Sequence, residues 1–322
     1  MLDLVVVNLT SPAVLFFALG LFAAFVRSDL SIPDAVAKTL ALYLMLAIGF
    51  KGGVGVAEHG LDSTLLLTIL VGTILSFVIP LIAFALLSVT SNLPKVDAAA
   101  LAAHYGSISI VTFVAATQSV GTLGLDPEGY IVAVAAVMET PAILSALWLA
   151  SRGSGAKSEG SSDGLFREIA FNSSIVMLVG SFVIGWITGE RGMEMISPFI
   201  VDPFQGVLCL FLLDMGLVAG RGLRQGWQDL RPPVVLFGLY MPLISALLAA
   251  LMIWPIPLSP GGAALMITLA ASASYIAVPA AMRLALPEAR PGIYLTMSLG
   301  VTFPFNLTLG IPLYIAIAEF IR

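Results

Sequence analysis

Two short runs place hydroxyls and small residues where their neighbours are apolar: His104-Tyr105-Gly106-Ser107-Ile108-Ser109, and Ser272-Ala273-Ser274-Tyr275 with Pro279 just beyond. Gly, Ser and Pro at such points let a helix unwind, and inside a bilayer the freed N–H and C=O groups must face a cavity or protein. A half-helix that restarts after the break offers first-turn N–H donors with partial positive charge, which suits an anion without a buried Arg or Lys. Small residues can also serve only to pack helices closely, but two such runs at comparable places favour a binding role. A second group of residues offers hard oxygen donors. Met138-Glu139-Thr140-Pro141 and Val301-Thr302-Phe303-Pro304-Phe305-Asn306 each set polar groups beside a proline within an apolar segment. A carboxylate inside a span costs about 2.5–3.5 kcal/mol on insertion scales. Glu139 is therefore expected to meet a wet cavity, a partner or a cation. Glu139, Thr140, Thr302, Asn306 and carbonyls freed by Pro141 and Pro304 make a candidate sodium shell. The alternative for Glu139 is a solvated helix end.

Other chemistries lack their parts. The chain has one cysteine, Cys209, and two histidines, His59 and His104. There is no zinc-ligand spacing, no Gly-x-Gly-Asp pattern, no serine–histidine arrangement and no basic run that could grip nucleic acid. An enzyme is not expected, nor an organic cofactor. Cys209 reads as a core thiol.

The elements that must position these residues are membrane helices. The 322 residues are 59% hydrophobic and 10% charged, with mean hydropathy +1.04, against about 25% charged residues in a soluble domain. Ten apolar spans are expected, at 10–26, 33–50, 64–88, 97–120, 129–150, 170–188, 200–219, 232–253, 261–284 and 291–320. The Met1-Leu2-Asp3-Leu4 start lacks the positive region of a cleaved signal peptide. Residues 151–168, rich in Gly and Ser from Ser151 to Gly164, read as a linker between repeats at 1–150 and 169–322.

The spans sort into two sets of five that share motifs. Phe50-Lys51-Gly52-Gly53 aligns with Leu213-Asp214-Met215-Gly216, an offset of 163 (216 − 53). The two hydroxyl-bearing runs align at 168 (274 − 106), and Gly129-Tyr130-Ile131 to Pro141 aligns with Gly292-Ile293-Tyr294 to Pro304 at 163 (304 − 141). Five is odd, so the second copy enters the membrane inverted, which is the architecture of secondary transporters that bind substrate where the copies meet. Lys and Arg fall eleven to three in favour of the loops after odd-numbered spans, placing those loops and the linker in the cytoplasm and both termini outside. Lys51 and Asp214 occupy equivalent points. They are expected to be solvated loop charges, with pairing or gating as the alternative. Pro80 and Pro242 read as kinks, and Trp148, Trp186, Trp227 and Trp254 as interfacial anchors.

The paired runs, Ile48-Gly49-Phe50-Lys51-Gly52-Gly53, Met138-Glu139-Thr140-Pro141-Ala142 and Leu299-Gly300-Val301-Thr302-Phe303-Pro304-Phe305-Asn306 with Gly310-Ile311-Pro312-Leu313 resemble the sodium-dependent bicarbonate transporters of the SbtA type. The resemblance covers essentially all ten spans. It implies a five-plus-five inverted fold with core and gate domains, elevator-like movement, a homotrimer in the cell inner membrane, sodium symport and bicarbonate as the imported anion. It also implies an anion site at Gly106, Ser107, Ser109 and Thr112 of one half and Ser272, Ala273, Ser274 and Tyr275 of the other. The chain departs from the pattern at Ile110-Val111, where the family has Gly-Ser, at Tyr275, where it has Asp, and at Ala277-Val278, where it has Ser-Gly. Its linker is also shorter, which bears on a PII-like regulatory partner. Another small monocarboxylate on the same scaffold is the nearest alternative, and an anion channel or membrane receptor a more distant one.

Overall fold

The computed structural model describes residues 9–59, 63–154, 173–226, 231–275 and 288–322, with isolated positions such as 278, 279, 282 and 286 between. Residues 155–168 of the expected linker, residues 169–172 after it, Trp227 and Ala277 lie outside the described residues, so neither the expected join nor that tryptophan is placed.

The described residues are helical almost throughout: α1 (Pro12–Phe25), α2 (Asp34–His59), α3 (Ser63–Thr90), α4 (Lys95–Gly106), α5 (Ile110–Thr122), α6 (Ile131–Ser154), α7 (Ser173–Ile200), α8 (Phe204–Gly226), α9 (Pro232–Ile253), α10 (Pro260–Ala271) and α11 (Pro291–Ile321). Starts follow ordinary capping chemistry. Ser11 accepts from the Val14 amide with Pro12 at the first position, and Ser259 accepts from the Gly262 amide with Pro260 behind it. Among the described residues, six helices are long and apolar enough to cross a membrane, counting α4 and α5 as one. Two of them, α3 and α9, carry exposed Leu66, Leu70, Leu247 and Leu251. Exposed leucines in such number are what a lipid solvent permits and water does not.

Two helix pairs cross at glycines, and the crossings are related. On α1 and α8, a Cβ on Gly20 would lie 2.0 Å from the Leu213 carbonyl oxygen, and one on Gly216 would lie 2.1 Å from that of Phe17. On α2 and α7, a Cβ on Gly53 would lie 1.9 Å from the Phe182 oxygen, and one on Gly185 would lie 2.2 Å from that of Phe50. Only hydrogen fits at these points, so the backbones touch. Gly53 and Gly216 are 163 apart and Gly20 and Gly185 are 165 apart (185 − 20). The first helix of each half thus packs on the second helix of the other.

A second exchange ties the fourth segments to the fifth. Asp97 in the first turn of α4 accepts from the Arg290 amide (2.8 Å) and Nε (2.9 Å) and pairs with its guanidinium at 2.7 Å, just ahead of α11. Glu128, just ahead of α6, accepts from the Ser259 amide (2.6 Å) and hydroxyl (3.0 Å) at the start of α10.

Several expectations need correction. Lys51 and Asp214 are not loop charges: they lie within α2 and α8, and Asp214 is buried. They do not pair either, since Asp97–Arg290 is the one salt bridge among the described residues. The sixth span runs on to Ile200 and bends at Gly189, whose φ of 54° is left-handed and suits glycine. Glu139 lies inside the 24-residue α6, so the helix-end reading fails, although its side chain and that of Thr140 lie outside the described residues. Helix α6 continues through Ser154, past the expected boundary at 150.

Candidate functional site

Helix α4 stops at Gly106 and α5 restarts at Ile110, with Ser107 and Ser109 extended between them. Helix α10 stops at Ala271, and Ser272 to Tyr275 are non-helical. The causes are local. Ser109 N-caps α5, its Oγ accepting from the Thr112 amide (3.2 Å) and hydroxyl (2.9 Å). Ser272 turns its hydroxyl back onto the Leu269 carbonyl at 2.8 Å, the side-chain competition with helical bonding that ends helices at serine.

The two breaks touch. The Ser109 amide donates to Ser272 Oγ at 2.8 Å, and the Ser274 amide donates to the His104 carbonyl at 2.7 Å. Each break thereby satisfies a backbone group that the other frees, as an apolar surrounding requires. Ser107, Ser109, Thr112, Ser272, Ala273 and Ser274 are all no more than 3% exposed, and Tyr275 is 9% exposed.

Not every expected site residue faces this crossing in the same way. Gly106 is a packing residue: a Cβ there would lie 2.1 Å from Pro80 Cγ and 2.6 Å from the Ser76 carbonyl oxygen. Pro80, inside α3, is thus the surface on which the first break rests. Three buried polar atoms at the crossing lack a hydrogen bond: Ser107 Oγ, His104 Nε2 and the Tyr275 hydroxyl, which faces Ser109. His104 donates from Nδ1 to the Ala100 carbonyl (2.6 Å) and stacks on Tyr294 (4.6 Å between centroids). On the neutral ring, Nε2 is then a bare acceptor. In the sequence, only the isolation of His104 in an apolar stretch marks it out.

The candidate cation donors split into two clusters one turn apart on α11. Thr302 Oγ1 donates to the Gly238 carbonyl at 2.9 Å, which leaves the Tyr105 hydroxyl as the donor in their 2.7 Å contact. Asn306 donates to the Ala271 carbonyl at 2.9 Å, the last residue before the second break, and accepts from the Tyr314 hydroxyl at 2.6 Å. Thr302 and Asn306 thus brace the two broken segments from one helix while keeping lone pairs in reserve. That helix is unusual. Thr296–Thr302 and Asn306–Gly310 are π-helical, with Phe303 bonding back to Ser298 and Ile311 back to Asn306. Pro304 cannot donate to the turn before it, and the resulting wide turns re-aim side chains, a form found often at functional sites. Nearby, the Ser76 hydroxyl donates to the Met138 carbonyl, one residue before Glu139.

Two clefts approach the crossing. One, of about 790 Å³, runs along Lys51 and Gly55 of α2, past Glu128 and Ser259, to Phe113 in the first turn of α5. The other, of about 460 Å³, runs along Met215, Ala219 and Arg221 of α8 and Thr296 of α11 to Tyr275. Part of each wall comes from the aligned motifs, with Gly52, Gly55 and Val56 in one and Met215, Val218 and Ala219 in the other, at an offset of 163 (215 − 52).

Two helices broken against one another, with clefts that reach Phe113 and Tyr275 beside them, fit the site of a membrane transporter. The chain belongs to the Na+-dependent bicarbonate transporter superfamily, whose family model matches residues 12–319. It is therefore a transporter and not an enzyme. No curated protein matches the chain.

Proposed function

We propose that this protein is a sodium-coupled symporter that imports a small anion, bicarbonate, by alternating access. One observation carries the reading: the reciprocal hydrogen bonds between Ser109 and Ser272 and between Ser274 and His104, at the inner end of two separate clefts. The anion sits at the crossing. It accepts from the first-turn amides of α5 at Ile110 and Val111, which have no acceptor within their own helix, and from the Ser107 hydroxyl. Ser109, Thr112, Ser272, Ala273, Ser274 and Tyr275 shape the remaining wall. Ile110 and Val111 give backbone donors where the family offers a further hydroxyl, so recognition here rests more on N–H groups and less on side chains.

Sodium is the co-substrate. Its shell draws on Glu139 and Thr140 of α6, Thr302 and Asn306 of α11, and carbonyls at the two breaks, all hard oxygen donors. The glycine crossings and the Asp97–Arg290 and Glu128–Ser259 ties support an inverted five-plus-five repeat, since contacts exchanged between equivalent positions are what a pseudo-two-fold axis produces. On this reading α1, α2, α7 and α8 form a gate and α4, α5, α6, α10 and α11 a core that moves elevator-fashion against it. The protein is a multi-pass inner-membrane homotrimer with both termini outside. The cleft at Lys51 then opens outward and the cleft at Arg221 inward. Uptake of labelled bicarbonate into proteoliposomes, with and without a sodium gradient, tests the proposal. Accumulation that ignores sodium, or that formate drives equally well, would redirect it to another ion or to a monocarboxylate.

A further inference from the structure

Lys51 is a cation on a membrane-spanning helix, where charges are costly and tend to mark solute pathways. Its surroundings are specific. The ammonium lies over the Phe204 ring, 5.0 Å from its centroid, and no carboxylate reaches it among the described residues. An aromatic face steadies a cation without cancelling its charge. The side chain lines the larger cleft, which ends at Phe113 in the first turn of α5. Two acidic residues share that cleft, Asp126 and Glu128. Glu128 is already held by the Ser259 amide and hydroxyl and feels the charge of Arg322. Neither carboxylate pairs with Lys51, so its ammonium presents free donors to whatever enters between α2 and α5.

We propose that Lys51 is a staging contact for the transported anion, holding it in this cleft before it passes to the broken-helix crossing. The inference rests on the transport reading above and adds a residue that it does not use. The repeat makes the assignment directional. Position 214, equivalent to 51, carries an aspartate buried in α8, and the cation of the other cleft, Arg221, is engaged with the Leu30 carbonyl at 2.9 Å, so the two clefts offer an anion different contacts. The Lys51 charge quickens entry from its own side and leaves the equilibrium across the membrane unchanged. Steering by a charge at a low-dielectric mouth falls as salt rises.

The test is initial-rate uptake of labelled bicarbonate in proteoliposomes at varied concentration and ionic strength. Lys51→Met is expected to raise half-saturation roughly tenfold, with the maximal rate within about twofold, and to flatten the salt dependence. Lys51→Arg is expected to keep the wild-type behaviour. A Lys51→Cys variant made with Cys209→Ala adds a readout independent of folding, because it is altered after assembly. Aminoethyl methanethiosulfonate, which restores an ammonium at position 51, should return the low half-saturation, and the neutral methyl reagent should not. Unchanged half-saturation in Lys51→Met, or equal effects of the two reagents, would overturn the assignment. Wild-type vesicles that fail to take up bicarbonate would instead remove the transport reading, and this inference with it.

Discussion

The amide of Ser109 donates to the hydroxyl of Ser272 at 2.8 Å, and the two residues are 163 positions apart. The two hydroxyl-bearing runs align at 168, which pairs Ser109 with position 277 and Ser272 with His104, so this bond joins neighbouring points of the two breaks and not equivalent ones. It ties the first turn of α5 to the end of α10, the two elements that would share the proposed anion site.

Ser272→Ala should therefore do two things. It leaves the buried Ser109 amide without an acceptor, which costs about 1–3 kcal/mol, and it loosens the register of the two breaks. The expected outcome is a lower melting temperature in detergent together with weaker anion affinity. Unchanged melting would show that Ser109 finds another acceptor.

The glycine crossings predict a contrast between substitutions that look alike on paper. Gly216→Ala drives a methyl into the Phe17 carbonyl, while Gly121→Ala meets nothing within 4 Å. The first should destabilise by roughly 1–3 kcal/mol and the second should be close to neutral. Gly20→Ala should resemble Gly216→Ala, since it violates the same crossing from the other side. Thermal unfolding of the purified variants checks all three, and equal melting would mean that α1 and α8 can move apart freely.

The ion pair between Asp97 and Arg290 is lopsided, with the carboxylate side chain 5% exposed and the guanidinium side chain 54% exposed. Asp97→Ala removes acceptors from both the Arg290 backbone and its side chain. Arg290→Gln keeps the backbone donor and leaves a carboxylate that water and the helix N-terminus can still serve. Because solvent screens the exposed partner, the aspartate variant should be the more destabilised, by about 1–2 kcal/mol. Chemical denaturation of the two variants side by side would reveal the reverse order if the charge pair, and not the backbone bond, dominates.

Both breaks are legible in the sequence because each depends on local chemistry: glycine and serine against an apolar background, at Gly106–Ser109 and Ser272–Tyr275. Partner choice was not legible. Gly53 announces a close approach, but nothing near it in the chain says that the carbonyl opposite belongs to Phe182. Gly106 misled for the same reason. It reads as a helix breaker and, by the family resemblance, as part of the anion site, while in the structure Pro80 of α3 packs where its Cβ would be. Lys51 and Asp214 read as loop charges because the apolar run falters at Lys51-Gly52-Gly53 and at Asp214, although helices α2 and α8 continue well past both. The π-helical turns of α11 have no signature beyond Pro304 and Gly310, which also suit an ordinary kink.

Glu139 tests the coupling ion. Glu139→Gln keeps the shape and removes a charge, so sodium dependence should weaken more than stability does. If sodium and the anion lie side by side, each raises the affinity of the other by the same factor. The variant should then also lose anion affinity at low sodium and recover it at high sodium. Uptake by the variant with an unaltered sodium dependence would take Glu139 out of the mechanism.

Ser107 gives the sharpest separation of binding from folding. Its hydroxyl is buried, 1% exposed, and makes no hydrogen bond. Removing a buried polar atom that has no partner is neutral or stabilising for the folded protein, because its desolvation is not offset by any bond. Ser107→Ala should therefore melt at the same temperature as the wild type or slightly higher. If the hydroxyl's missing partner is the transported anion, the same change should raise half-saturation by about 1–1.5 kcal/mol, roughly five- to tenfold. The sodium dependence should stay in place, since none of the candidate cation donors is touched. Opposite signs for stability and affinity cannot come from a packing role. A variant that loses both stability and affinity, or neither, would place the anion elsewhere along the crossing.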